Sequence, residues 1–461
     1  MTRVRVLRLS DMIFLQKGSV MRRLVHALFS IALRLFFRRI ETSHEERVPM
    51  EGAVIFVLNH PNGLIDPALI FCSLPRRVSF LAKSTLFRLP VIASLLRVVE
   101  ALPLYRRVDA GEDVSQNLRT FVACRKLLRQ GRCIALFPEG LSHSSTQLRP
   151  IKTGAARIAL GALSGPEGAE FELKIVPVGL YYTSKTSFRS EALIRFGDEL
   201  TVLPVELEAD GEPPRAAVKE LSQRIETALR GVTLNVESDE ALEQVSKAEQ
   251  LFSSIYESIN MRQSLSEEFD LRRRFAAEMQ AASGAEAKEL RASIERYEAE
   301  LATLGISTEN LSLVEHSRWY VFRHFLLRSV LLLMLLPLAL VGAVLHFPAY
   351  FFSNALAQAY REHGVDDIIS TVKILAAIVL MPLTWLAVTL IAFLLWGWRI
   401  SLITLPSVIT CGYVAMRCVE ELVDMAGWYR AVLVLVGRRH LFLRLLLERR
   451  RLHNAIRRRS H

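Results

Sequence analysis

Two stretches of this 461-residue chain, 329–347 and 374–398, contain no Asp, Glu, Lys or Arg. Crossing a bilayer as a helix takes about 20 apolar residues, and both runs are long enough. Lipid offers backbone groups no partners, so a helix is the form open to them. Two wholly buried soluble helices of this length are hard to sustain, and the runs are read as a transmembrane hairpin. Trp396 and Trp398 close the second run as interfacial anchors. Between the runs lie Arg361, Glu362, Asp366 and Asp367. Outside them lie Arg323, Arg328 and Arg399, then a tail with Arg449, Arg450, Arg451, Arg457, Arg458 and Arg459. The positive-inside rule places both flanks in the cytoplasm and the acidic connection outside. A third apolar segment, 402–416, is shorter and interrupted by Thr404, Pro406 and Thr410. Spanning there would carry the basic tail outside, so it is expected to be interfacial or re-entrant.

The formal charge of +11 has two ordinary partners, nucleic acid and anionic lipid. The basic residues flank apolar segments and no aromatic-interleaved basic groove is present, so a phospholipid membrane is the expected partner and nucleic acid is not. The N-terminus superficially resembles a signal peptide but lacks a small-residue cleavage site. From Met21 to Ile40, Arg22, Arg23, Arg34, Arg38 and Arg39 punctuate an apolar pattern. The uncharged run between Arg23 and Arg34 is too short to span. Residues 1–45 are therefore expected to hold an interfacial amphipathic helix with its arginines at lipid phosphates; the alternative is a helix packed on the following domain. The five cysteines, Cys72, Cys124, Cys133, Cys411 and Cys418, show no zinc spacing and read as core thiols. No metal site is expected.

Residues 46–208 alternate short apolar runs with helical stretches. Strands are expected at Ala53–Leu58, Val78–Ala82, Glu100–Leu104, Cys133–Phe137, Lys174–Leu180 and Ala192–Phe196, and helices at Ile65–Ser73, Glu112–Arg129 and Thr153–Leu163. This alternation argues an α/β sandwich around a central sheet. Residues 209–318 change to charged helix. Leu290, Ile294, Tyr297, Leu301 and Leu304 form a seam that Gly305 ends. A partner at Leu242–Met261 or Glu268–Ala282 would make a helical hairpin. No chemistry is read into it.

Two elbows follow buried strands. The run Ala53–Leu58 breaks at Asn59-His60-Pro61-Asn62-Gly63, with Asp66 close behind. A histidine on a rigid strand end, with a carboxylate to hold its Nδ1–H, is what a general base needs. A strand-capping histidine and a helix-capping aspartate would look the same. The second strand, Cys133–Phe137, breaks at Pro138-Glu139-Gly140 and leads through Ser142, His143, Thr146, Leu148, Pro150 and Lys152 to Gly154.

Four ordered blocks, Asn59-His60…Asp66, Ala101-Leu-Pro-Leu-Tyr-Arg106, Phe137-Pro-Glu-Gly140 and Ile175-Val-Pro-Val178, resemble the glycerophospholipid acyltransferase superfamily. The details after His60 and Gly140 are most similar to its fungal-type glycerol-3-phosphate and dihydroxyacetone-phosphate branch. The resemblance implies a mixed-sheet catalytic domain with helices on both faces. It implies His60 as base and Asp66 as its orienting carboxylate, with no nucleophilic residue and no cofactor. Asn59, Arg106, Glu139, Gly140, Arg149 and Lys152 would form the substrate side, with Arg106 and then Lys152 at the acceptor phosphate and Glu139 either on an acceptor hydroxyl or ordering its loop. His143 is a minor acid/base candidate; Ser144, Ser145 and Cys133 sit in no nucleophile elbow. Two departures stand out. Five residues separate His60 from Asp66 where the family has four, and Glu100 stands where glycine is expected, its carboxylate unfavourable to a phosphate if it points inward.

The reading that follows is a membrane-bound O-acyltransferase. It would move a fatty acyl group from acyl-coenzyme A or acyl carrier protein to glycerol 3-phosphate or 1-acylglycerol 3-phosphate. Its catalytic domain would lie on the cytoplasmic face of a bacterial inner membrane or of the endoplasmic reticulum. The alternatives are a lysophospholipid-remodelling acyltransferase and a silent membrane scaffold.

Overall fold

The computed structural model describes residues 4–7, 19–74, 76–106, 108–109, 111–143, 145, 147–164, 171–236, 246, 264–281, 285–305, 318–361, 369–437, 440–441, 444–445, 447–449 and 451–452. The chain divides into two compact units, Met1–Asn235 with Ala357–Ile374, and Val236–Leu356 with Leu375–His461.

The first unit is built on a nine-stranded sheet. Its centre is β3 (Ala53–Leu58), buried at every position. Such a strand needs neighbours on both edges and cover on both faces. It pairs in parallel with β6 (Cys133–Leu136) and β7 (Leu173–Tyr182). The order is β1-β2-β8-β7-β3-β6-β4-β5, with β1 (Val4–Val6), β2 (Phe37–Ser43), β4 (Val78–Lys83), β5 (Leu102–Leu104) and β8 (Ser190–Phe196). A short β9 (Leu200–Thr201) pairs with β7. Strands β7 and β8 run antiparallel, as do β1 and β2, so the sheet is mixed.

Alternate residues of a strand face opposite sides. Ala53, Ile55 and Val57 pack with α4 (Asn117–Arg129), α5 (Gly154–Leu163) and α6 (Arg215–Val232) in one core. The other face is covered by α1 (Val20–Phe36) and α2 (Ile65–Ser73), joined by the His26–Phe71 ring contact. A further helix, α3 (Pro90–Val98), was not legible in the pattern of the sequence. Helices on both faces of a mixed sheet are the architecture expected.

The N-terminal reading changes in detail. The helix ends at Phe36, short of Ile40, because Phe37 and Ile40 are fully buried in β2, a sheet strand parallel to β8. The compact unit is thus wider than 46–208. Arg22 is buried and donates to the carbonyls of Val78 and Val98, and Arg38 and Arg39 bond to Glu191, so these three do not serve lipid phosphates. The inner face of α1 packs on the domain, while Val20, Met21, Leu24, Leu28 and Ile31 face outward. The alternative reading, a helix packed on the following domain, is met on the inner face.

In the second unit, α7 (Leu265–Ala281) precedes α8 (Ala285–Leu304). Ile294, Tyr297 and Leu301 are buried, and Gly305 ends the helix with φ 64°. The candidate partner Leu242–Met261 lies outside the described residues apart from 246. Three long apolar helices follow: α9 (Arg318–Arg361), α10 (Ile369–Trp396) and α11 (Trp398–Gly437). All three are long and apolar enough to cross a membrane. The segment 402–416, read as interrupted, lies inside the continuous α11. Its hydroxyls return hydrogen bonds to the helix, Thr404 to Ile400 O and Thr410 to Pro406 O, so they do not break it.

Candidate active site

Because β3 and β6 are parallel neighbours in register at Val57 and Leu136, the two elbows emerge side by side at one edge of the sheet. Sites in open α/β sheets gather at this carboxyl edge. Asp66 sits in the first turn of α2, where the helix dipole favours a carboxylate.

His60 Nδ1 lies 2.8 Å from Asp66 Oδ2. The extra residue between them is absorbed at Gly63, whose φ of 43° is open to glycine at little cost. The Asp66 side chain is fully buried. Its Oδ2 also accepts from the Asn62 backbone N–H at 2.7 Å, and its Oδ1 from the Tyr182 hydroxyl at 2.6 Å. Burial, reinforced by the Asp66 charge and this bond, pushes the Tyr182 phenol well above its ordinary range, so it stays a donor. With Asp66 accepting at Nδ1, the proton resides there and the lone pair at Nε2. The ring stacks on Phe137 at 4.1 Å, and 18% of the His60 side chain remains exposed.

Glu139 joins the two elbows. One oxygen accepts from the His60 backbone N–H at 2.8 Å; the other accepts from the Arg149 N–H at 2.9 Å and bonds to His143 Nε2. Burial works against its ionisation, but the bonds from His143, Arg149 and His60 outweigh it and hold the carboxyl below its usual range. With its side chain fully buried, Glu139 orders the loop and does not reach an acceptor hydroxyl. His143 is likewise buried against it.

Arg106 donates from Nε and one Nη to Asp109 at 2.8 and 3.0 Å, and from the other Nη to Gly140 O at 3.2 Å. These bonds engage three of the five guanidinium hydrogens and fix the group beside the Glu-Gly elbow. Lys83 adds a second cation on Asp109 at 2.9 Å. The Asp109 carboxyl is held below its usual range, first by the Arg106 hydrogen bond. Gly140 has φ 77°, and a Cβ there would collide with the Lys152 side chain. Lys152 and Arg149 are exposed on the same loop.

Other expectations are relocated. Asn59, placed on the substrate side by its motif, bridges strands instead: its amide donates to Leu180 O at 3.0 Å and accepts from Leu180 N at 2.7 Å. Glu100 has φ 60°, which explains the expected glycine, and its carboxylate pairs with Arg77 and Arg132. Cys133 is buried, which pushes its thiol up to about 11. Ser144 lies outside the described residues. Among the described residues no cluster of three or more His, Cys, Asp or Glu could hold a metal. Tyr182 and Asp109 were missed: an aromatic in an apolar strand reads as core, and an aspartate in a polar loop as solvated.

Residues 39–181 match the family model described as Acyltransferase, and residues 249–459 match that of the Glycerol-3-phosphate acyltransferase 2 C-terminal domain. Glycerol-3-phosphate O-acyltransferase 1 of Saccharomyces cerevisiae is 26% identical over 472 residues, covering 78% of this chain and 60% of its own length. Glycerol-3-phosphate O-acyltransferase 2 of the same yeast is 24% identical over 319 residues, covering 66% and 42%. A 1-acyl-sn-glycerol-3-phosphate acyltransferase of Borreliella burgdorferi is 28% identical over 161 residues, covering 35% and 58%. The chain thus spans less than two thirds of the length of each of these relatives. The crystal structure of a 1-acyl-sn-glycerophosphate acyltransferase from Thermotoga maritima aligns at 17% identity with a TM-score of 0.33, covering 48% of this chain and 85% of that one.

Proposed function

We propose that this chain, which belongs to the glycerophospholipid acyltransferase superfamily in its fungal-type glycerol-3-phosphate branch, transfers a fatty acyl group from a coenzyme A or carrier-protein thioester to glycerol 3-phosphate or its 1-acyl derivative. The observation that carries the reading is the partly exposed imidazole of His60, held at 2.8 Å by a buried Asp66.

The steps follow from that geometry. The acceptor hydroxyl binds at His60 Nε2 and loses its proton there as its oxygen attacks the thioester carbonyl. The imidazolium that forms donates Nδ1–H to Asp66, whose charge is fixed by Asn62 N–H and Tyr182 O–H. Collapse of the tetrahedral intermediate breaks the C–S bond, and the proton on Nε2 passes to the leaving thiolate. A thioester is already activated, so one base suffices. Arg106, held by Asp109 and Gly140 O, offers its remaining donors to the acceptor phosphate, a planar match that lysine lacks.

An acceptor screen tests this. Purified full chain with labelled acyl-coenzyme A is offered glycerol 3-phosphate, lysophosphatidate and lysophosphatidylcholine. The phosphate-terminated acceptors should be acylated in preference. Preference for the choline acceptor, or release of free fatty acid alone, would overturn the proposal.

A further inference from the structure

His60 and Asp66 close the two ends of one loop, so their 2.8 Å contact is only as steady as the five residues between them. The His60 end is clamped on both sides: its N–H donates to Glu139, and its carbonyl accepts from His143 N–H at 3.1 Å. The Asp66 end is set in the first turn of α2. Between them, Gly63 stands at φ 43° and Leu64 begins α2 with no side-chain cap. The buried Asn62 amide donates away from the loop, to Lys185 O at 3.2 Å. The first N–H groups of a helix find no partner within it, so Leu64 N–H needs one from elsewhere.

That partner comes from far along the sequence. Residues Ala357–Ile374 belong to the same compact unit as the sheet. Thr371, 307 residues beyond Leu64, accepts its N–H on Oγ1 at 3.1 Å. Two residues on, Lys373 donates from Nζ to Thr186 O at 3.1 Å, and Ile374 is buried. Thr186 adjoins Lys185, whose carbonyl holds Asn62. The bonds close a ring, from Leu64 to Thr371, from Lys373 to Thr186, and from Lys185 back to Asn62. Tyr182, at the end of β7, ties the same β7–β8 connection to Asp66.

We propose that Thr371 is a positioning residue for the dyad: by accepting Leu64 N–H it braces the loop that carries His60 and Asp66, while Lys373 braces the β7–β8 connection beside it. This deepens the acyltransferase reading and rests on His60 being its base. The effect is on alignment. A reacting group displaced by about 1 Å can cost about 100-fold in rate, whereas the acceptor phosphate is held by other groups, Arg106 first. Loss of the brace should therefore fall on kcat and spare the acceptor KM.

Two variants of the full chain test this. Thr371→Val keeps the shape of the side chain and removes the acceptor oxygen; Thr371→Ser keeps the oxygen. Hydrogen exchange over residues 59–66, read by mass spectrometry in mixed micelles, should run about two- to tenfold faster in Thr371→Val. Thr371→Ser should exchange at the wild-type rate. With glycerol 3-phosphate and acyl-coenzyme A, kcat of Thr371→Val should fall about tenfold with acceptor KM within about twofold of wild type. Thr371→Ser should restore it. Unchanged exchange in Thr371→Val, unchanged kcat despite faster exchange, or Thr371→Ser behaving as Thr371→Val would each overturn the proposal. Exchange requires no turnover, so the brace is decided separately from the acyltransferase reading, whose own failure shows in the acceptor screen.

Discussion

Asp66→Asn separates the charge of the dyad from its geometry. His60 Nδ1–H and Asn62 N–H point at Oδ2, and the Tyr182 hydroxyl points at Oδ1. An asparagine has one acceptor oxygen and one donor NH2. With NH2 at the Oδ2 position, one donor would face two others. With NH2 at the Oδ1 position it faces the Tyr182 hydroxyl, which can rotate to accept. The second orientation is favoured, so His60 keeps its tautomer and only the charge is lost. An imidazolium–carboxylate pair about 4 Å apart at an effective dielectric constant of about 20 is worth about 4 kcal/mol. At about 1.36 kcal/mol per decade, half to all of that is a loss in kcat of about 30-fold to 1,000-fold. The acceptor KM should change little, because the carboxylate does not touch substrate. Adding Tyr182→Phe strands the amide NH2 and should cost a further ~1–3 kcal/mol of stability. The assay is thiol release from acyl-coenzyme A at saturating acceptor in mixed micelles, with thermal unfolding followed in parallel. A folded Asp66→Asn protein with kcat within threefold of wild type would refute the role given to the carboxylate.

Three further expectations can be checked with the same material. Arg106→Lys loses the planar fork and should raise the glycerol 3-phosphate KM by about tenfold with a smaller change in kcat; an unchanged KM counts against a phosphate role. Asn59→Ala should lower stability by about 1–3 kcal/mol by stranding Leu180 N–H and C=O, with acceptor KM unaffected; a selective rise in KM would return Asn59 to the substrate side. Glu139 has a folded pKa below its ordinary 4.5, so its contribution is complete above about that pH and is lost as pH falls through the folded value. Wild type should therefore lose Tm on acidification below about pH 4.5 more steeply than Glu139→Gln; parallel curves would contradict this.

Much of the catalytic unit was legible because its signals are local. Fully apolar Ala53–Leu58, cut off by turn residues, reads as a strand buried on both faces, and Ile65–Ser73 forms a helix with the bounds its periodicity suggested. The strand β2 was not legible, since Phe37-Arg-Arg-Ile40 continues the helical pattern of α1 and only pairing with β8 decides otherwise. In the site, His60, Asp66 and Glu139 stood out as polar residues at strand ends. Which of them touches substrate could not be read from spacing. Glu139 and Asn59 turn inward to join elbows and strands, a choice made by partners such as Arg149 N–H and Leu180 that lie far along the chain. Tyr182 gave no sign, because its neighbours in β7 are apolar.

The most direct measurement is the turnover of His60→Gln against wild type on glycerol 3-phosphate and acyl-coenzyme A, with equal folding verified by thermal unfolding. Loss of a general base should lower kcat by about 10²- to 10⁴-fold. A folded variant that still turns over within tenfold of wild type would contradict the assignment of the acceptor's proton to this imidazole.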